Sequence, residues 1–167
     1  RLLKYNKLVA KYNLPVPRYT SYPTVPHWKE ELDKDLWQKS FEQQFALNNK
    51  IGGISLYIHL PFCESLCTYC GCNKKITTNH GVESEYISAL AKEWQIYLGT
   101  MREKPIIREI HLGGGTPTFF SPRNMVALLD TIYKDAIIHP QHEFSIEGHP
   151  NNTTAEHLET LYNLGFR

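Results

Sequence analysis

Outside a single stretch of ten residues, this 167-residue chain contains no cysteine. No apolar run approaches membrane-spanning length and no signal-peptide pattern is visible, so a helical membrane protein is excluded and the expected location is the cytoplasm. Basic runs are missing as well. With 18 Lys and Arg against 17 Asp and Glu the formal net charge is +1, which offers nucleic acid no electrostatic footprint and excludes it as an expected partner. Apolar residues make up 41% of the chain, with Trp, Tyr and Phe spread along it, which is the composition of a globular protein rather than a disordered one.

The cysteines that are present are Cys63, Cys67, Cys70 and Cys72. In a reducing compartment, disulfides between residues this close are disfavoured and their short loops fit poorly, so metal is the better reading. Structural zinc normally takes two ligand pairs held apart by a spacer, whereas Cys63, Cys67 and Cys70 sit as C-x3-C-x2-C on one loop. Three thiolates from one loop can hold three irons of a cubane iron–sulfur cluster and leave the fourth iron open to another ligand. A zinc knuckle and a purely structural cluster are the alternatives. Cys72 is one cysteine too many for such a loop, and is either an inert small side chain or a group on the substrate side.

The surrounding sequence places that loop. Residues 54–60 form a β-rich apolar run ending at Pro61, which predicts a strand delivering the cysteines at its C-terminal end. Over 82–98 apolar residues recur at three- and four-residue intervals, predicting a helix with Gly99 as its stop. Residues 106–112 predict a second strand, which runs into Gly113-Gly114-Gly115-Thr116-Pro117-Thr118. Ser121-Pro122 opens a second helix, residues 142–147 form a third strand, and Thr153-x-x-Glu156 reads as the capping box of a third helix ending near Gly165. The βαβαβα order predicts an α/β fold with a parallel sheet. Right-handed crossovers then put the ends of all three strands on one rim, where the cysteine loop, the glycine run and Glu147 converge.

Cys63-x3-Cys67-x2-Cys70, with Tyr69 before the last cysteine, resembles the cluster loop of the radical S-adenosylmethionine enzymes. That resemblance implies the N-terminal part of a partial (β/α) TIM-type barrel, preceded by a helical segment. It implies a [4Fe-4S] cluster on Cys63, Cys67 and Cys70, with S-adenosyl-L-methionine chelated at the open iron and cleaved by one electron to a 5′-deoxyadenosyl radical. The run containing Gly114, Gly115 and Thr116 matches the family segment that holds the cofactor's methionyl amino group. Glu147 matches a position that binds its ribose hydroxyls or amino group and Tyr57 one that touches its methionyl part, while Tyr69 could stack near its adenine. Read from the residues alone, the glycines could equally form an ordinary tight turn and Glu147 could be a solvated strand-end carboxylate. Likewise Tyr57 could be a core residue, and Tyr69 could simply exclude water.

A longer match narrows the family. The run from Cys63 through Cys70-Gly71-Cys72-Asn73-Lys74, together with Pro17-Arg18-Tyr19-Thr20-Ser21-Tyr22-Pro23-Thr24, resembles the branch that oxidises coproporphyrinogen III without oxygen. The resemblance implies oxidative decarboxylation of two substrate propionates to vinyl groups in haem biosynthesis, with an external electron acceptor. Cys72 and Arg18 would lie on the substrate side; a guanidinium suits a propionate carboxylate, although Arg18 sits in a segment that could simply fold over the barrel mouth. Haem-transferring relatives are the alternative, but they generally lack the cysteine at position 72 and the Arg18–Pro23 segment. Gly148-His149-Pro150 departs from the Asp or Asn often found before that proline, which puts the shape of that loop in doubt. The eight histidines contain no His-x3-His pair near the cysteines and read as ordinary surface or core residues.

Length sets the last expectation. A complete (β/α)8 barrel takes roughly 250 residues, so the chain reads as an N-terminal fragment, inactive alone and with an open sheet edge. Residues 1–50 are expected to hold two helices and a Pro/Tyr-rich loop, and residues 51–167 the first three βα units.

Overall fold

The computed structural model describes residues 2–13, 27–28 and 33–167. The chain divides into two units, residues 1–34 and 35–167. In the first, α1 (Leu2–Tyr12) has the expected helical spacing of apolar residues. Arg18 and the rest of the Pro/Tyr-rich segment lie outside the described residues.

The second unit, led by α2 (Lys34–Asn48), contains β1 (Ile54–Leu60), β2 (Phe62–Cys63), β3 (Lys75–Ile76), α3 (Val82–Met101), β4 (Ile106–Gly114), α4 (Pro122–Tyr133), β5 (Ile137–Ile146) and α5 (Ala155–Asn163). A 3-10 turn, Pro117–Phe119, separates β4 from α4. The main sheet has the order β1-β4-β5 with all strands parallel, so each strand is joined to the next through a helix. This is the α/β arrangement the element order predicts.

The two faces of this sheet differ in chemistry. Leu56, Ile58, Leu60, Ile110, Leu112 and Phe144 point toward the helices, where they join Ile87, Trp94, Met125, Leu128, Leu129, Ile132 and Leu161 in one apolar core. The opposite face carries Ser55, Tyr57, Glu109, His111, Glu143 and Ser145, which line a cavity of about 490 Å³. A bulge in β4 reconciles this with the sequence: the register shifts between Ile107 and Glu109 against both neighbours, so Ile107 and Ile110 are both buried although three positions apart. Sheets that are purely parallel normally have both faces covered. Here the polar face is shaped for something other than the core helices.

Several element boundaries differ from expectation, each for a physical reason. The helix expected to stop at Gly99 continues to Met101, and the turn is made by Arg102 in the left-handed region at φ 60°. Gly99 is simply helical, with nothing within 4 Å of the place a Cβ would occupy. The last strand starts at Ile137 rather than 142 because Ile137 and Ile138 pair with Ile106 and Ile107; pairing resumes at Glu143, beyond Pro140, which cannot donate to the ladder. The capping box is one residue later than Thr153-x-x-Glu156: Thr154 is the N-cap, accepting from the His157 backbone N–H, and the His157 ring accepts from the Thr154 backbone N–H. Thr153 instead donates to His149 O at 2.9 Å. At the far end Gly165 adopts φ 98°, Phe166 N–H caps Leu161 O, and Arg167 N–H reaches Phe144 O at 3.3 Å on the free side of β5.

One buried carboxylate joins three of these elements. Glu83 in the first turn of α3 has a side chain only 2% exposed. Its Oε2 accepts from Ser121 N–H at 2.9 Å, Ser121 Oγ at 3.2 Å and Asn124 Nδ2 at 2.6 Å, so it satisfies the N-terminus of α4. Its Oε1 meets His80 Nδ1 at 2.7 Å, and His80 Nε2 in turn meets Glu64, the residue after Cys63, at 3.2 Å. The His80 ring stacks on Phe119 with centroids 4.2 Å apart. Burial pushes the Glu83 carboxyl up, but Asn124, Ser121 and His80 together outweigh it and hold the group below the usual glutamate range. The bond to Glu83 raises His80 above the ordinary imidazole value.

Two stability outcomes follow from this packing. Gly99→Ala raises stability by about 0.5–1 kcal/mol, because an alanine fits the helix and narrows the unfolded ensemble; a loss of stability in denaturant titration would show that Gly99 is needed as a breaker. Glu83→Gln costs about 2–3 kcal/mol by leaving a charge-assisted network incomplete. The depressed Glu83 contributes above its ordinary value of about 4.3 and is lost as pH falls through its folded value. The raised His80 contributes below about 6.5 and is lost as pH rises through its folded value. The stability gap between wild type and Glu83→Gln is therefore widest near pH 5–6, and a gap that does not vary with pH would contradict the ionic coupling.

Candidate cofactor site

Where β1 and β4 end, their pairing does not stop. His59 lies opposite Gly113 and Leu60 opposite Gly114. Gly115 N–H then donates to Leu60 O and Thr116 N–H to Phe62 O, both at 2.9 Å, so the glycine run is stitched to the start of the cysteine loop. The base of that loop is closed by β2 pairing with β3, with Lys75 N–H on Pro61 O at 2.7 Å and Thr77 N–H on Cys63 O at 2.9 Å. Cys63 is buried on this base, Cys67 and Cys70 are half-buried on the loop, and Cys72 is exposed; all four are free thiols.

Each glycine of the run is held close by β1 or its exit. A Cβ on Gly113 would meet Tyr57 Cε2 at 2.8 Å and its hydroxyl at 2.9 Å. Gly114 has φ 119°, with the His59 ring 2.9 Å from its Cβ position. A Cβ on Gly115 would strike Pro61 O at 2.5 Å and Cys63 Sγ at 2.9 Å. Close backbone approach is thus required by the protein's own side chains and loop as well as by any ligand.

Cys63, Cys67, Cys70, Gly115, Thr116 and Glu147 all line one cavity of about 210 Å³ at the C-terminal end of the strands. Thr116 Oγ1 donates to Cys63 Sγ at 3.2 Å. Glu147 follows β5, its N–H held by Leu112 O at 2.9 Å, and its carboxylate accepts from Gly114 N–H at 3.3 Å. Tyr57, Tyr69, Gly114 and Cys72 are not in its lining, and Arg18 lies outside the described residues. Tyr57 is 59% exposed on the polar sheet face, not in the core, and Tyr69 is 90% exposed. The Cys72 backbone N–H and thiol beside the Cys70 sulfur hold the Cys70 thiol below its ordinary value, and Cys70 in turn raises Cys72 above its own.

Among the described residues, no three His, Cys, Asp or Glu side chains stand close enough to grip one metal ion. A cubane cluster makes a different demand, because each thiolate binds a separate iron and the sulfurs need not meet at one point. Three free thiols around one cavity fit that demand. A lone zinc ion would need them to converge with a fourth ligand.

Two histidines that the sequence offered only as ordinary residues are built into the rim. His59 Nε2 bonds Asn73 O at 2.8 Å, and its Nδ1 meets Tyr57 OH at 3.3 Å, tying β1 to the far end of the cysteine loop. His111 on β4 stacks against Tyr57, with centroids 5.7 Å apart and planes 17° from parallel. The available signal was period-two alternation: Tyr57 and His59 share one face of β1, and His111 is two residues before Gly113 on β4.

Gly115→Ala should displace the Pro61 backbone and the Cys63 sulfur and abolish iron uptake during anaerobic reconstitution, while Gly52→Ala, where nothing lies within 4 Å, leaves it intact. Equal iron content in the two variants would show that the close approach at Gly115 is not needed to present the cysteines.

No family model matches the chain. It is 37% identical over 158 residues to an oxygen-independent coproporphyrinogen III oxidase of Helicobacter pylori, covering 94% of this chain and 34% of that protein. The enzymes of the same name from Pseudomonas aeruginosa and Escherichia coli are 34% and 33% identical over similar spans. A solved coproporphyrinogen III oxidase from Escherichia coli, described as a radical SAM enzyme, superposes with a TM-score of 0.78 at 28% identity, covering 96% of this chain and 34% of that one. The chain thus spans about a third of the length of the relatives it matches. Over that span, in sequence and in fold, it is similar to the oxygen-independent coproporphyrinogen III oxidases.

Proposed function

We propose that this chain is the cluster-binding and cofactor-binding part of a radical S-adenosylmethionine enzyme that converts coproporphyrinogen III to protoporphyrinogen IX. The observation that carries the reading is the single cavity shared by Cys63, Cys67, Cys70, Gly115, Thr116 and Glu147. Residues from three strand ends meet there although they are far apart in sequence.

In this reading Cys63, Cys67 and Cys70 are the cluster ligands. The bound cluster and S-adenosyl-L-methionine supply the one-electron chemistry that begins hydrogen abstraction from a substrate propionate. The chain's own part is positioning. Gly114, Gly115 and Thr116 offer close backbone to the methionyl end of the cofactor, and the Glu147 carboxylate takes its ribose hydroxyls or amino group. Tyr57 flanks the methionyl part, and Tyr69 is free to close over the adenine. Cys72, exposed beside the loop, and Arg18 are assigned to the substrate side. The substrate, the electron partners and the location in the cytoplasm belong to the proposal; among the described residues no helix is long and apolar enough to cross a membrane. No observation favours haem transfer, and the relatives reported above carry the oxidase name.

The test is anaerobic reconstitution with iron and sulfide, then electron paramagnetic resonance of the reduced protein with and without S-adenosylmethionine. The expected result is a four-iron signal that shifts when the cofactor is added and is absent in Cys70→Ala. Stoichiometric zinc uptake in place of a cluster would overturn the assignment.

A further inference from the structure

On the polar face of the sheet, the only side chain bridging Tyr57, Ser145 and Glu147 among the described residues is His111. We infer that His111 is a positioning residue: it fixes the Glu147 carboxylate in the orientation that takes the cofactor, and it does so through a defined tautomer set by Ser145. This inference rests on the reading of Glu147 given under Proposed function.

The geometry defines the tautomer. His111 Nε2 lies 3.5 Å from Glu147 Oε1, and His111 Nδ1 lies 2.8 Å from Ser145 Oγ. An ionised carboxylate only accepts, so Nε2 must carry the proton that faces it. In the neutral ring Nδ1 is then an acceptor, and the Ser145 hydroxyl donates to it. The Tyr57 ring, stacked on the imidazole, closes one side. Gly113 makes that stack possible, since a Cβ there would lie 2.8 Å from Tyr57 and 3.2 Å from His111 Cδ2.

The consequence falls on Glu147. Its side chain is 56% exposed, and a free glutamate at a strand end would sample several rotamers. Here one oxygen is held by His111 and the other by Gly114 N–H at 3.3 Å. Two donors therefore fix the carboxylate plane from the sheet side. A carboxylate offers about four lone-pair sites, so acceptor capacity remains on the side that lines the cavity. That capacity is what hydroxyl or ammonium donors of a bound cofactor would use. The three groups occupy matched positions on adjacent strands: Tyr57 pairs in register with His111, and His111 with Ser145. The relay is therefore set by backbone pairing and not by loop conformation.

The test uses the full-length, cluster-reconstituted protein, with the S-adenosylmethionine dissociation constant measured by equilibrium dialysis and iron content and melting temperature followed in parallel. His111→Leu should weaken binding about tenfold, the size of one charge-assisted hydrogen bond used for orientation. His111→Gln, whose amide can still donate toward Glu147, should stay within about threefold of wild type. In a Glu147→Gln background, His111→Leu should add little, because the residue acts through the carboxylate. His111→Leu binding as tightly as wild type would overturn the inference and leave the proposed function standing, as would equal losses with and without the Glu147 carboxylate. If cluster-loaded wild type fails to bind S-adenosylmethionine, the proposed function falls and the role of His111 falls with it.

Discussion

The site depends on the pairing of β1 with β4 continuing past the ends of both strands. Within the sheet, that pairing is ordinary parallel ladder. Beyond it, Gly115 N–H on Leu60 O and Thr116 N–H on Phe62 O carry the register into two segments that would otherwise be independent loops. The glycine run is forced into this approach, because Tyr57, His59, the Pro61 backbone and the Cys63 sulfur occupy the space where its side chains would be. A glycine-rich loop is usually explained by what binds it. Here the same absence of side chains is what lets β4 lie under the exit of β1, so the cysteine loop and the glycine loop have one shared backbone frame.

That frame separates the two faces of the sheet by task. Helices cover one face with a continuous apolar core, while the other is lined with hydroxyls, imidazoles and carboxylates that bond to one another across strands: Ser55 with Glu109, and His111 with Ser145. Most of these polar side chains are exposed, so water as well as their neighbours can satisfy them. The cross-strand bonds satisfy many of them and leave the outer edge of the row, at Glu147, facing the cavity. On the helix side, Glu83 performs the complementary task. It caps α4 and, through His80, reaches Glu64 beside Cys63, so the first cluster-loop residues are tied to two helix starts at once.

Much of this was readable from sequence because its signals are local. The three parallel strands, the Ser121-Pro122 helix start and the convergence of cysteines, glycines and Glu147 follow from alternation, capping chemistry and right-handed crossover, each decided within a few residues. The misplacements occur where a non-local contact overrode a local signal. Gly99 reads as a stop until α3 is seen to continue two residues further and turn at Arg102. Pro140 hides the start of β5 because pairing with β4 resumes beyond it. The roles of His59 and His111 were invisible for the same reason, since each is defined by a partner more than a dozen residues away. Tyr57 could be placed on a strand by sequence, but only the sheet's pairing shows that its face is the polar one.

The unequal support of the cysteines bears on how the site is completed. Cys63 is embedded: it lies on β2, accepts a bond from Thr116 and is buried. Cys67 and Cys70 lie on a loop that is closed at its base and otherwise largely exposed, with one backbone bond, Cys70 N–H to Cys67 O at 3.1 Å, tightening it. A loop of this kind has little apolar surface to bury, so packing alone contributes little to ordering its thiols. Metal–thiolate bonds are strong enough to supply that ordering, and their free energy then becomes folding free energy of the loop. The rigid part of the site, from Cys63 through the glycine run to Glu147, is thus fixed by the sheet before any cofactor arrives. Cys67 and Cys70 are the ligands that the cluster itself would organise, whereas Cys63 is already held by β2 and by Thr116.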